Sequence, residues 1–189
     1  MGISGKPEAL LEINRLQNEP IPVIKRFSGG GTVIVDENTL FITFIFNKDH
    51  LHIAAFPEPI LRWSGDLYQS AWNLPNFQIQ ENDYCIGNKK CGGNAQYIKN
   101  KRWLHHTSFL WDYDETNMNY LQLPAKRPQY RQARSHTDFL CRLKEHAPST
   151  DQLIEELKRA LVKRFYIQEF EEESWKDAPH RQSTHFIEL

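Results

Sequence analysis

The longest apolar run of the chain, residues 40–46, constrains the fold most. Its seven residues match the length of a single strand, whereas a membrane-spanning helix needs about twenty. The run is nearly continuous and does not alternate, which predicts a strand that is buried on both faces. The β-branched residues 32–35 and the polar residues 36–38 precede it. Residues 22–46 are therefore predicted to form strand, glycine turn, strand, turn and strand.

Other segments predict helices and further strands. Apolar residues recur at helical spacing from residue 60 to residue 72, directly after Pro59. Ser149 and Gln152 form a capping box, and an apolar residue then recurs at every fourth position, at Leu153, Leu157, Leu161 and Phe165. A short helix is predicted over residues 114–120, and strands over residues 77–79, 84–86, 94–98 and 103–111, the last two forming a hairpin. The pattern predicts an α+β chain.

The composition narrows the class of protein. Hydrophobic residues make up 40% and charged residues 25% of the 189 residues, an ordinary balance for one globular domain. The 23 basic and 24 acidic side chains leave a net charge of -1, so the chain lacks the positive field of a nucleic-acid-binding protein. The three cysteines are irregularly spaced, which favours a reducing compartment. With no membrane-spanning or signal-like segment, a soluble, cytoplasmic protein is predicted.

A glycine-rich segment lies between two of the predicted strands. Its candidate binding residues are Arg26, Ser28, Gly29, Gly30 and Gly31, closed by Asp36. Successive glycines let the backbone turn sharply and approach a ligand, and an arginine offers a planar donor for phosphate or carboxylate. The glycines alone equally fit a hairpin turn beside a solvated Lys-Arg pair. The segment is not a P-loop, because no Gly-Lys-Ser/Thr follows.

A second polar segment places lysines between glycines. It contains Asn82, then Lys89 and Lys90, then Gly92, Gly93, Asn94 and Ala95. A lysine fixed by such a turn can set its charge against a phosphate and a carbonyl oxygen together, as acyl-adenylate chemistry requires. The alternative is a polar hairpin loop whose lysines face water.

Two adjacent histidines lie in the predicted strand that follows. Alternation sends the side chains of His105 and His106 to opposite faces, so at most one of them can face a site. The histidines and cysteines lack the paired spacings of a zinc site. One structural histidine and no metal site are therefore predicted.

Taken in order, these motifs carry a specific resemblance. Arg-Phe-Ser-Gly-Gly-Gly-Thr-Val-x-x-Asp, then Glu-Asn-Asp, then Lys-Lys-x-Gly-Gly-Asn-Ala-Gln, then His-His-Thr-Ser-Phe-Leu, resembles the catalytic domain of lipoate-protein ligases. The ligase-like branch of plants and some bacteria is the most similar. The resemblance runs from about residue 2 to about residue 165. It implies a mixed β-sheet flanked by helices, shared with biotin ligases and octanoyltransferases and similar to class II synthetases.

The resemblance also implies a reaction and a site. Family ligases join lipoate to AMP using ATP and Mg²⁺, and then pass the lipoyl group to a lysine of a lipoyl acceptor domain, in a 2-oxoacid dehydrogenase complex or the glycine-cleavage carrier. By position, Lys90 matches the essential lysine, since it stands three residues before Gly93, and Asn82 matches a contact of the adenylate phosphate. The residues implied to surround the lipoyl-adenylate are Arg26, Ser28, Gly29, Gly30, Gly31, Gly92, Gly93, Asn94 and Ala95.

The chain departs from the family pattern in three places. Residues 1–168 are expected to form the catalytic domain without the family's opening strand-helix-strand unit, and residues 169–189 a loose polar tail. Lys25-Arg26 stands where family members carry Arg-Arg. The accessory C-terminal domain of some ligases is also absent from the pattern, which implies an accessory ligase subunit as a partner.

Two other functions remain open from sequence. An octanoyl or lipoyl transferase would use a cysteine thioester, with Cys91 beside Lys90 as the first candidate and Cys141 as a weaker one. A non-catalytic protein would hold an acidic acceptor domain through the basic loop of residues 124–134, whose charges are Lys126, Arg127, Arg131 and Arg134. The same loop fits a solvated surface.

Overall fold

An antiparallel five-stranded sheet organises the chain, in the strand order β2-β6-β5-β4-β3. The computed structural model describes residues 1–125, 127–169 and 184–188. The strands are β1 Ile24–Lys25, β2 Thr39–Asn47, β3 Phe77–Gln80, β4 Asp83–Ile86, β5 Lys89–Lys99, β6 Arg102–Leu110 and β7 His185–Phe186. The α-helices are α1 Pro7–Leu10, α2 Ile13–Asn18, α3 Pro57–Trp72, α4 His136–Phe139 and α5 Thr150–Val162. Short 3-10 helices occupy Lys48–His50, Glu115–Tyr120, Gln129–Arg131 and Leu143–Glu145.

One face of the sheet, here called the inner face, packs against α3 and α5. The core between them contains fully buried large side chains, among them Tyr68, Trp103 and Phe109. The indole of Trp72 at the end of α3 donates to the carbonyl of Leu153 in α5 at 2.9 Å, which fixes the two helices to each other. These helices leave the opposite, outer face of the sheet free to form a site.

Most predicted elements are present. The predicted helix from residue 60 is α3, and the predicted hairpin is β5 and β6, which turn at Asn100 in the left-handed region with φ 46°. The Ser149 hydroxyl accepts the backbone N–H of Gln152 at 3.1 Å, so the predicted cap of α5 is confirmed. The predicted strands at residues 77–79 and 84–86 are β3 and β4.

Two predictions for residues 32–46 are wrong. Residues 32–35 form no strand, because they turn to line the cleft described below. β2 is an edge strand that pairs only with β6, and its outer side chains are accessible: Phe41 is 42% and Ile45 is 63% exposed. Its inner side chain Phe44 is buried. The apolar run reflects one buried face and one uncovered apolar face.

The two ends of the described chain meet beside β1. The backbone N–H of Ile3 donates to the carbonyl of Ser28 at 3.0 Å, and that of Arg26 donates to Met1 at 3.0 Å. On the other side of β1, β7 pairs antiparallel, and Ile187 packs on the small apolar cluster of Met1, Leu11, Leu16 and Tyr120. β7 lies within residues 169–189, for which a loose polar tail was predicted. Since residues 170–183 and 189 lie outside the described residues, the tail stays a prediction.

No helix within the described ranges is long and apolar enough to cross a bilayer.

Candidate functional site

A cleft of about 480 Å³ lies over the outer face of the sheet. Its floor includes Lys90, Gly93, Ser108 and Leu110, from β5 and β6. One side is formed by residues 30–34 and the other by residues between 118 and 140. This volume lies in the range that binds small molecules or cofactors.

The lining has an apolar and a polar part. Leu10, Ile34 and Leu121 line the cleft and also pack on the small apolar cluster, so this wall is backed by buried side chains. The polar lining groups include Glu81, Asn82, Asp83, Lys90, Gln122, Arg127, Arg131 and His136. A ligand with an apolar chain and an anionic head would satisfy both parts.

A β-bulge places Lys90 in the cleft. Tyr84 pairs with Gly92 and Cys85 pairs with Lys90, so Cys91 is an extra residue in β5. Strict alternation would put residues 90 and 93 on opposite faces. The extra residue restores both to the outer face, where Lys90 and Gly93 line the cleft. Lys89 is exposed and lies outside the lining.

The ammonium of Lys90 is held by a carboxylate. Lys90 Nζ lies 2.7 Å from Asp83 Oδ1, and Asp83 Oδ2 accepts the hydroxyl of Tyr130 at 2.8 Å. Burial, followed by the charge of Asp83, raises the pKa of Tyr130, which keeps the phenol protonated and donating. A Cβ at position 93 would lie 3.2 Å from Lys90 Nζ, so the glycine makes room for the ammonium.

The glycine segment wraps around Arg26. The guanidinium donates to the carbonyls of Gly29 and Gly31 at 3.0 and 2.8 Å and to Ser28 Oγ at 3.1 Å. Burial lowers the pKa of Arg26. Gly30 has φ 103°, and a Cβ there would lie 2.9 Å from Arg26 Nη2. Neither a hairpin nor a solvated Lys-Arg pair describes this loop.

The sequence-predicted site residues divide into two groups. The lining contains Gly30, Gly31, Asn82, Lys90 and Gly93, whereas Arg26, Ser28, Gly29, Gly92, Asn94 and Ala95 stand behind it. Asn94 Nδ2 donates to the carbonyl of Asn82 at 2.7 Å and so ties β5 to the turn before β4. A Cβ at Gly92 would lie 2.6 Å from Phe109 Cδ1, so Gly92 is required by core packing.

Sequence reasoning did not assign to this cleft its lining residues Asp83, Arg131 and His136, nor Tyr130, the hydrogen-bond partner of Asp83. Asp83 was visible in the Glu-Asn-Asp motif, next to Asn82. The others come from the basic loop and α4, and only the tertiary structure brings them to β5. Arg131, expected at the surface, is buried, and Arg134 donates to the carbonyls of Asn88 and Tyr130. Lys126 lies outside the described residues.

The cysteines are packed inside. Cys91 is 0% exposed, and its Sγ lies 3.4 Å from the carbonyl of Tyr84. Burial raises the pKa of the Cys91 thiol, and burial also raises that of Cys85 to about 11. The buried residue Cys141 follows Leu140, which bridges to Lys90, and its Sγ lies 3.7 Å from the carbonyl of Lys89. A buried thiol with a raised pKa is a poor nucleophile, which argues against Cys91. The pKa of Cys141 is instead lowered, chiefly by its hydrogen bond with Cys91.

The two histidines face opposite sides of β6, as predicted. His105 is fully buried, with Nε2 2.8 Å from the hydroxyl of Tyr84. Burial, and then His106, lower the pKa of His105 to about 4, so it is neutral in the core. His106 is half-buried on the outer face and stacks on Phe41. One structural histidine is confirmed.

These features define an α+β domain with an amphiphilic cleft on one sheet face and a lysine in its floor. The same fold occurs in a bi-partite lipoate protein ligase of Thermoplasma acidophilum, with a TM-score of 0.70 and 19% identity over 86% of this chain and 65% of that chain. It also occurs in a lipoate-protein ligase A bound with ATP, with a TM-score of 0.70 and 16% identity over 86% of this chain and 66% of that chain.

The sequence profile of the lipoyl protein ligase A/B catalytic domain matches residues 1–166, and the chain belongs to this family. Inactive lipoate–protein ligase 2 of Plasmodium falciparum is 31% identical, covering 76% of this chain and 47% of the relative. Probable lipoate-protein ligase A of Mycoplasma genitalium is 26% identical, covering 79% and 45%. The chain thus spans less than half the length of these relatives.

Proposed function

We propose that this chain is a lipoate-protein ligase-like enzyme that forms or uses lipoyl-AMP and transfers the lipoyl group to a lysine of an acceptor domain. The observation that carries the proposal is the position of Lys90. Its ammonium sits in the floor of the amphiphilic cleft, beside Gly93, and is held at 2.7 Å by Asp83.

The proposed chemistry uses that ammonium twice. In the first step a carboxylate oxygen of lipoate attacks the α-phosphorus of ATP, and pyrophosphate leaves. In the second step the amine of the acceptor lysine attacks the acyl carbonyl, a proton is lost from that amine, and AMP leaves. Negative charge grows on phosphate oxygen in the first step and on carbonyl oxygen in the second. A fixed cation stabilises both transition states.

The proposed substrates fit the two parts of the cleft. The apolar wall of Leu10, Ile34 and Leu121 would receive the lipoyl chain, and the polar lining would receive the adenylate. One solved relative of this fold is bound with ATP, and a lipoate protein ligase of T. acidophilum is bound with lipoic acid. We propose Mg²⁺ as the counter-ion that arrives with ATP, since Mg²⁺ at nucleotide sites is commonly bound through substrate phosphates.

The proposed partners are a lipoyl acceptor domain and an accessory ligase subunit. The ligase of T. acidophilum is described as bi-partite, together with its E2 lipoyl domain. For this chain the acceptor would belong to a 2-oxoacid dehydrogenase complex or to the glycine-cleavage carrier.

Lipoate-dependent exchange of labelled pyrophosphate into ATP tests the first half-reaction. Lipoyl transfer from preformed lipoyl-adenylate to a purified acceptor domain tests the second without any activating partner. Activity in the second assay supports the proposal whether or not the first needs an added subunit. Failure of both assays, with and without added subunit, would contradict it.

The two alternatives make different predictions in these assays. A thioester transferase would need Cys91 or Cys141, so either Cys91→Ser or Cys141→Ser would lose transfer, whereas the ligase mechanism predicts that both variants retain transfer. A binding protein without catalysis would bind the acceptor and transfer nothing. Because the P. falciparum relative is named an inactive ligase, binding of the acceptor and transfer to it must be measured separately.

A further inference from the structure

Arg131 is a buried cation without a carboxylate partner. Its side chain belongs to the cleft lining, and the residue is 4% exposed. Among the described residues no Asp or Glu oxygen lies within the ion-pair distance of 4.0 Å from it. A buried charge normally requires an opposite charge or a full set of hydrogen bonds.

The contacts that Arg131 does make are to neutral groups. Nη2 lies 3.3 Å from His136 Nδ1, and Nε donates to the carbonyl of Arg134 at 3.4 Å. The guanidinium also lies over the ring of Phe139, 4.6 Å from its centroid. These contacts fix the plane of the guanidinium, while Nη1 makes no hydrogen bond to any described residue.

His136 supports this orientation. Burial, and then Arg131, lower the pKa of His136, against an opposing effect of the Gln122 and Leu121 carbonyls. A neutral imidazole can present the lone pair of Nδ1 to the guanidinium. The groups that contact Arg131 therefore fix the orientation of its guanidinium and do not neutralise its charge.

The surrounding field attracts an anion. Burial and the charge of Arg127 lower the pKa of Arg131, and Asp83 acts in the opposite direction. Asp83 is already committed to Lys90 and Tyr130, at 2.7 and 2.8 Å. Among the described Lys and Arg residues that line the cleft, Lys90 is neutralised by its own carboxylate and Arg127 is exposed, whereas Arg131 is buried and forms no ion pair with a described carboxylate.

We propose that Arg131 is the binding residue for the oxyanion of the substrate, a phosphate or a carboxylate, in the cleft. This inference rests on the proposed function for the identity of the ligand. A guanidinium held at its Nε edge and on its face by protein leaves N–H groups for the two oxygens of such a group. Lys90 would then act on the reacting atoms while Arg131 holds the anion.

Isothermal titration of the full chain with lipoyl-adenylate, AMP and lipoate tests the proposal. Arg131→Gln should weaken binding of lipoyl-adenylate about 10- to 100-fold, the typical effect of losing a hydrogen bond between charged groups. Arg102→Gln is the control, because Arg102 is an exposed arginine that lies outside the cleft lining, and it should weaken binding less than about threefold. A loss confined to AMP identifies a phosphate, and a loss confined to lipoate identifies a carboxylate.

Equal binding by wild type and Arg131→Gln would overturn the inference, and so would equal losses in the Arg131 and Arg102 variants. If Arg131→Gln does not fold, Arg131→Lys carries the test: an ammonium lacks the planar fork, so binding should still fall about threefold to tenfold. Unchanged binding by Arg131→Lys would then overturn it. Wild-type protein that binds none of the three ligands would instead contradict the proposed function.

Discussion

Replacing Lys90 with alanine is the sharpest test of the site, because Lys89 provides a control in the adjacent position. The bulge at Cys91 turns Lys90 into the cleft and leaves Lys89 exposed. Both variants remove one ammonium from the same strand. They differ in whether that ammonium can reach a substrate.

The expected effect on rate follows from the role of a fixed cation. Losing one preorganised donor from such a site costs about two to four orders of magnitude in the chemical step. Lys89→Ala should change the rate less than about threefold, since its charge is in water. Lys90→Arg should also fail, because the larger, planar guanidinium cannot occupy the 2.7 Å contact with Asp83 and still sit beside Gly93.

The expected effect on stability follows from the ion pair. The side chains of Lys90 and Asp83 are 23% and 11% exposed. Lys90→Ala leaves the carboxylate with the hydroxyl of Tyr130 as its remaining side-chain partner, which should lower the free energy of unfolding by about 1–3 kcal/mol. Lys89→Ala should lower it by no more than about 0.5 kcal/mol.

Single-turnover transfer from preformed lipoyl-adenylate measures the rate, and urea unfolding measures the stability of the same preparations. Transfer should be compared at a temperature at which every variant is folded, so that a loss of rate reports on chemistry. Transfer by Lys90→Ala at the wild-type rate would refute the role assigned to this ammonium. Equal losses in the Lys90 and Lys89 variants would refute the argument from the bulge.

Two further predictions concern the glycine segment and pH. Gly30→Val should weaken lipoyl-adenylate binding more than tenfold with little loss of helical circular dichroism, because φ is 103° and a Cβ would lie 2.9 Å from Arg26 Nη2; unchanged affinity would show that the loop does not touch the ligand. His105 has a pKa of about 4 in the fold, below its ordinary value of about 6.5. The unfolded chain therefore binds the extra proton, so stability is fully present above pH 6.5 and falls by up to about 3 kcal/mol as pH drops toward 4. Urea unfolding at pH 7.5 and 5 measures this loss of stability. If the free energy of unfolding of His105→Gln falls between these pH values as much as that of the wild type, His105 is not its cause.

Short-range sequence patterns predicted much of the fold. Helical spacing and the Ser149 cap identified α3 and α5, because a helix is defined by contacts within four residues. The hairpin of β5 and β6 could be predicted for the same reason, because its two strands are neighbours in the sequence. The prediction that β2 is buried on both faces was wrong because an apolar sequence does not show whether another layer covers each face of the sheet. In the fold, Phe41 and Ile45 on the outer face of β2 stay accessible.

The candidate site was also predicted only in part from the sequence. The glycine segment and the segment around Lys90 could be found from sequence, since close backbone approach requires glycine and the motif order resembles one family. Sequence did not show that Arg26 would be used to hold its own loop, through the carbonyls of Gly29 and Gly31. It also did not reveal Tyr130 as the partner of Asp83, at a separation of 47 residues.

By itself, the sequence determined the α+β class, the two long helices, the central hairpin and the family. The motif order also indicated Lys90 rather than Lys89. The tertiary structure alone showed how Lys90 reaches the cleft, and which charges are neutralised and which remain uncompensated. The physical reason is that a bulge depends on the register between β4 and β5, and that Arg131 is buried by chain segments distant from the lysine. Spacing along the chain specifies neither pairing register nor burial, and both set the electrostatics of this cleft.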